Sequence, residues 1–145
     1  VLSPIRQLRK EEAGFSLVEL LVVTLIIGAL AAVALANLFG QREKAVDTQA
    51  IATAHTAQVT IESCGAQKQD GYESCDANEL RSMEPTLPAD PTLKVSGLAK
   101  DEYTIVVQSV PKSHTFTIQR TGKGVIGFTC NEKGEGGCPL DGTWG

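Results

Sequence analysis

In 145 residues the chain has two histidines, one tryptophan, two tyrosines and one methionine. Acid–base and nucleophilic catalysis need a base, a nucleophile and an orienting group within reach of one another. With only His55 and His114 to draw on, and His55 on a helical stretch that faces partly outward, no such set can be nominated and no enzyme is expected. Aromatic residues make up 5% of the sequence, and only Phe15 and Phe39 fall on the long helical stretch, which leaves no stacked aromatic path for electrons. A phosphate-binding glycine loop, a GxGxxG fingerprint and internal repeats are all missing. Nor is there an excess of basic residues. The formal charge is −4, so the electrostatic footprint of a nucleic-acid binder is lacking.

Charge is also lacking from one long run. From Leu20 to Ala36 every residue is apolar or small, with Thr24 the only hydroxyl and Gly28 the only glycine. At a rise of about 1.5 Å per residue the run covers about 26 Å, near the lower limit for crossing a bilayer. Arg6, Arg9 and Lys10 precede it, so the positive-inside tendency keeps the N-terminus in the cytoplasm and exports the rest. A secretory signal peptide starts in the same way, but Asn37-Leu38-Phe39-Gly40-Gln41 lacks the A-x-A pattern that signal peptidase reads. A single-pass anchor is the simpler expectation.

A plain anchor does not explain "GFSLVELLVV", residues 14 to 23, where Glu19 stands among apolar side chains. A carboxylate deep in an apolar helix costs about 2.5 to 3.5 kcal/mol on insertion scales, and less near the aqueous end. A cut between Gly14 and Phe15 would place a new α-amino cation four residues, about one helical turn, before Glu19.

Lys10-Glu11-Glu12-Ala13-Gly14 followed by Phe15-Ser16-Leu17-Val18-Glu19-Leu20 resembles the class III signal of type IV prepilins. That signal has a short basic leader ending in glycine, an aromatic first mature residue and glutamate at mature position five. Gly28 also falls where the family has a glycine in its transmembrane helix. The resemblance implies that a membrane-embedded prepilin peptidase cuts between Gly14 and Phe15 and methylates the new Phe15 amine. It implies that Glu19 is the assembly residue, pairing with the terminal amine of a neighbouring copy in a helical homopolymer. An assembly platform and a separate ATPase are the further partners implied. The precursor would sit in the bacterial cytoplasmic membrane and the assembled fibre at the cell surface. Many type IVa pilins have a proline at the position of Ala36; "LAAVALANLFG" has none, and any softening of the helix would fall on Asn37 to Gly40. "NLFGQREKA" and the "GGCPLDGTW" tail look more like the pilins of actinobacteria and related Gram-positive lineages. Major pseudopilins of type II secretion share the leader and the helix and are the alternative reading. A single-pass protein whose head binds a ligand is a third.

All four cysteines, Cys64, Cys75, Cys130 and Cys138, follow the apolar run, where an exported chain meets an oxidising compartment. Three pairings are open, and the close spacing favours two local loops, Cys64 with Cys75 and Cys130 with Cys138. Zinc competes poorly, because neither pair has the short C-x2-4-C spacing of structural sites. Asp76, Asn78 and Glu79, or Asn131, Glu132, Glu135 and Asp141, could offer oxygen ligands to calcium, which the C-terminal loop of related major pseudopilins holds. Neither group has the EF-hand order, and exposed polar loops are the simpler reading. No other metal or cofactor is expected.

Past the anchor, Arg42, Glu43 and Lys44 read as a solvated junction. Val46, Ala50, Ala54, Ala57 and Ile61 then recur at steps of three or four, as the apolar stripe of an amphipathic helix does. The helix is expected from about Ser16 to Ser63, with Gly65 as its stop. Pro85, Pro88 and Pro91 exclude another long helix, leaving one short turn around Asn78 to Met83. The period then changes to two. Tyr103, Ile105 and Val107 alternate with Thr104, Val106 and Gln108, and Pro111-Lys112-Ser113 turns the chain into Thr115 to Ile118. Gly122-Lys123-Gly124 turns it again into Val125 to Cys130, with a possible fourth strand near Leu93 to Val95. The fold class is therefore α+β: a long N-terminal helix packed against a small antiparallel sheet of three or four strands, as in the pilin fold. Residues 1–14 form the leader, 15–36 the transmembrane and filament-core helix, 37–64 the amphipathic helix and 65–145 the head.

Overall fold

The computed structural model describes residues 14–110 and 113–145; residues 1–13, where the leader is expected, and Pro111 and Lys112, where a turn is expected, lie outside the described residues. Helix α1 spans Leu17–Gln67 without a break, followed by α2 (Ala77–Met83) and strands β1 (Leu93–Ser96), β2 (Tyr103–Gln108), β3 (Thr115–Arg120) and β4 (Ile126–Cys130). One long helix and a four-stranded antiparallel sheet make up the α+β pilin fold. The chain divides after Asn37 into two compact units, and α1 contributes to both.

In the first unit α1 begins with its own cap. Val18 N donates to Ser16 Oγ at 3.3 Å and Leu20 N to Ser16 O at 3.1 Å, leaving Glu19 in the first turn. Ser16 and Glu19 have the spacing of a capping box, and an acid there suits the positive end of the helix dipole. From Gly14 to Asn37 every residue is exposed. The two uncharged polar side chains of this helical stretch turn inward to their own backbone: Thr24 Oγ1 donates to Leu21 O and Asn37 Nδ2 to Val33 O. Asn37 to Gly40 stay helical.

In the second unit α1 acquires a buried face of Asp47, Ala50, Ala54, Ala57, Thr60, Ile61 and Cys64. The apolar stripe starts differently from expectation: Val46 is half-buried, and Asp47 is the first wholly buried position. The three alanines of this face belong to the same buried core as the inner face of the sheet. The sheet is a meander in chain order, β1-β2-β3-β4, with the fourth strand as β1 at its edge. Its inner face alternates along each strand: Leu93, then Tyr103, Ile105 and Val107, then Phe116 and Ile118 are buried. The register sets Val107 opposite both Leu93 and Phe116, and Ile118 opposite Ile105 and Phe128, so core side chains meet across strands.

Gly65 does not stop the helix, which runs on to Gln67. The glycine answers a packing demand instead, since a Cβ there would run into the Tyr72 ring. Asp76 caps α2, accepting from Glu79 N at 2.8 Å. Disulfides join Cys64 to Cys75 and Cys130 to Cys138. Cross-links of this kind support small heads whose core is limited.

Candidate functional site

Gly14, Phe15 and Ser16 precede the helix. A Cβ at Gly14 would meet nothing within 4 Å, so this glycine answers no packing need among the described residues. Phe15 is 80% exposed. Glu19 is exposed in the first helical turn and makes no ion pair among the described residues. Gly14, Phe15 and Glu19 thus occupy one accessible stretch at the helix start.

Two further acids on α1 organise the second unit, and neither stood out in the sequence. Asp47 is 1% exposed. Its Oδ2 lies 2.9 Å from His114 Nδ1 and accepts from Gly137 N at 2.9 Å. Burial pushes the Asp47 carboxyl up, but hydrogen bonds from His114, Ser109 and Gly137, with the charge of His114, hold it below the ordinary carboxylate range. Glu62 accepts from Tyr72 Oη at 2.6 Å, Tyr103 Oη at 2.8 Å and Arg120 Nη1 at 3.3 Å. The two tyrosine rings meet edge to face at 4.9 Å, and the Arg120 guanidinium lies 5.5 Å from the Tyr72 centroid. Burial, and then Glu62, push the Tyr72 hydroxyl up to about 12 and the Tyr103 hydroxyl higher still. Both phenols therefore stay protonated at neutral pH and keep donating to Glu62.

Ser109, His114 and Asp47 have the composition of a hydrolytic triad but not its order. Ser109 and His114 Nδ1 both address the Asp47 carboxylate, and His114 Nε2 lies 3.9 Å from Glu135 Oε2. A triad needs the second imidazole nitrogen on the serine. Ser109 and His114 are also buried, which closes them to a substrate. His55 packs its ring against Trp144 and Phe128, at 5.2 and 5.9 Å. Trp144 donates from Nε1 to Thr129 O at 2.8 Å and meets Phe116 and Phe128 edge-on.

The oxygen-rich groups considered for calcium are engaged with the chain itself. Asp76 caps α2 and Glu79 pairs with Lys68 at 2.9 Å. Asn131 accepts from Thr115 N and donates to Ser113 O, while Asp141 accepts from both Thr143 N and Thr143 Oγ1. Among the described residues no three His, Cys, Asp or Glu side chains converge as a metal site would require.

Among the described residues, α1 is the one helix long and apolar enough to cross a membrane. Residues 9–35 match the family model of the prokaryotic N-terminal methylation motif. No curated protein and no solved structure matches the chain. The matched stretch takes in Lys10, Gly14, Phe15, Glu19 and Gly28 together, and the chain thus carries the motif of class III signal peptide prepilins, the precursors of type IV pilins and pseudopilins.

Proposed function

We propose that the chain is the structural subunit of a type IV pilus. The observation that carries this reading is that the methylation motif leads straight into an apolar helix exposed at every residue as far as Asn37. A helix apolar all round requires cover. Lipid supplies it before assembly, with the N-terminus in the cytoplasm, and other copies of the chain supply it afterwards. Prepilin peptidase cuts between Gly14 and Phe15 and methylates the Phe15 amine; an assembly platform and an ATPase then stack the subunits into an extracellular filament.

Glu19 sets the axial register in that stack. In a core of apolar helices an unpartnered carboxylate is penalised, and the Phe15 amine of a neighbour supplies charge and hydrogen bonds together. Because a buried pair spends much of its attraction on desolvation, the gain is chiefly in selecting one register. The pilus reading is preferred over a calcium-dependent pseudopilus because Asn131 already binds Thr115 and Ser113, and Asp141 already binds Thr143.

Shearing surface fibres, imaging them and measuring the intact mass of their subunit tests the proposal. A mature chain starting at Phe15 is expected in the fibres. A species that keeps Arg6 to Lys10, or one cut after Ala36, would reject it. No surface fibre from cells that make the subunit, together with loss of protein secretion when it is deleted, would move the assignment to a pseudopilus.

A further inference from the structure

The tail from Asn131 onward has no helix or strand of its own, only one bridge between Thr143 and Thr129. It is nevertheless held at a fixed place on α1. The ring closed by Cys130 and Cys138 contains Gly136 and Gly137, and both lie flat on Asp47. A Cβ on Gly136, whose φ is +54°, would run into the Asp47 carboxylate, and one on Gly137 would come to 3.0 Å from Asp47 Cβ. Gly137 N is the donor to Asp47 Oδ2 and belongs to the residue next to Cys138. The position of that N–H and the position of the Cys138 sulfur are therefore covalently linked, while Cys130 is fixed at the end of β4.

We infer that Asp47 is a positioning residue for the Cys130–Cys138 bond: it holds Gly137 so that Cys138 faces Cys130, favouring closure of this bond and resisting its reduction. A buried carboxylate cannot give up a donor cheaply, because no water replaces it. Opening the ring lets Gly137 leave Asp47, and removing Asp47 frees the ring. Such coupling is reciprocal. With glutathione disulfide as oxidant, the Cys130 thiolate attacks a glutathione sulfur and expels one glutathione. The Cys138 thiolate then attacks the Cys130 sulfur of the mixed disulfide and expels the second. Two thiol protons are released and one glutathione disulfide becomes two glutathione thiolates. Asp47 acts on the second step, by raising the local concentration of Cys138 beside Cys130. Glu62 touches the other ring through a side chain, since Tyr72 lies between Cys64 and Cys75 and donates to Glu62, whose own side chain is partly exposed.

The test uses the full chain in detergent, equilibrated at a series of glutathione to glutathione disulfide ratios, with each disulfide counted by differential alkylation and peptide mass. Asp47→Ala is expected to weaken Cys130–Cys138 at least about tenfold against glutathione, the effect of one lost buried hydrogen bond, and to change Cys64–Cys75 by less than about twofold. Asp47→Asn keeps a carbonyl oxygen for Gly137 N and is expected to restore part of the loss. Glu62→Ala should show the opposite pattern. An equal change at both disulfides under Asp47→Ala, or none at Cys130–Cys138, overturns the inference. Should Asp47→Ala fail to fold, the converse measurement decides: in the Cys130→Ser, Cys138→Ser variant the amides of residues 47–51 should exchange at least about tenfold faster, with those of 61–65 unchanged. Equal acceleration in both segments, or none in the first, also overturns it.

Discussion

The same helix lives under two regimes. Up to Asn37 it has no buried side chain and satisfies its uncharged polar groups within its own backbone. From Asp47 it buries one stripe, and its acids gather donors from segments remote in sequence: Gly137 lies 90 residues from Asp47, and Arg120 lies 58 from Glu62. Secondary structure alone does not tell the regimes apart, because most helical stability comes from what packs on a face rather than from propensity. One stretch takes its cover from its surroundings, whereas the other carries its cover in its own chain.

That contrast is broken most severely by a change in the first stretch that the second does not feel. Glu19→Ala is expected to leave membrane insertion, processing and the unfolding midpoint of the head unchanged while abolishing fibres; fibre yield at matched amounts of processed subunit measures it. Glu19→Gln should also impair assembly, and normal fibres from both would make the acid a tolerated end residue. The reverse case is Phe116→Ala, which empties a wholly buried position in the sheet. A loss of about 3 to 5 kcal/mol is expected from the missing packing and the cavity, readable by denaturation followed through Trp144, 5.8 Å from Phe116. Insertion and processing should be untouched.

Two glycines sharpen the comparison further. Gly65→Ala forces a methyl into the Tyr72 ring and should cost about 1 to 3 kcal/mol. Gly28→Ala, where nothing lies within 4 Å, should leave head stability unchanged and, if anything, firm the helix by up to about 1 kcal/mol. A fall in fibre yield from Gly28→Ala would reveal a neighbouring copy packed there. The smallest effect concerns acid. The Asp47 carboxyl is held low, facing His114, Ser109 and the Gly137 amide, with Glu135 beyond His114. Its contribution is fully present above the ordinary carboxylate pKa of about 3.9 and is lost as pH falls through the lower folded value. Head stability should therefore hold from neutral pH to about 4 and decline below it, and Asp47→Asn should soften that decline. Glu84 and Asp141, held low by Thr86 and Thr143, act in the same direction from the surface.

Much of the fold was legible because it follows periodic rules. The change from steps of three and four to steps of two placed the helix and the strands, and the alternation of Tyr103, Ile105 and Val107 is the alternation of burial. The motif at Gly14 to Glu19 was legible because a linear signal needs no fold to be seen. Gly65 was misread because its reason lies in a ring seven residues away and not in its own conformational freedom. Asp47 was passed over because acids are seldom buried. Its phase held the clue: positions 47, 50, 54, 57 and 61 keep one rhythm, and an acid in step with Ala50, Ala54, Ala57 and Ile61 must find donors or be expelled.

The order of the sheet bears on how the head is made. Every strand pairs with its neighbour in the chain, and sheets built from local pairings form faster than those that must close long loops. As the head folds, each hairpin can be added to the one before. The tail is different, because Gly142 O accepts from Cys130 N and Thr143 bridges Thr129 along the outer edge of β4. Until those contacts form, β4 presents a bare edge to any other copy nearby, and bare edges invite aberrant strand pairing. Closing the tail therefore covers the Thr129–Cys130 end of that edge and shortens what another copy could pair with.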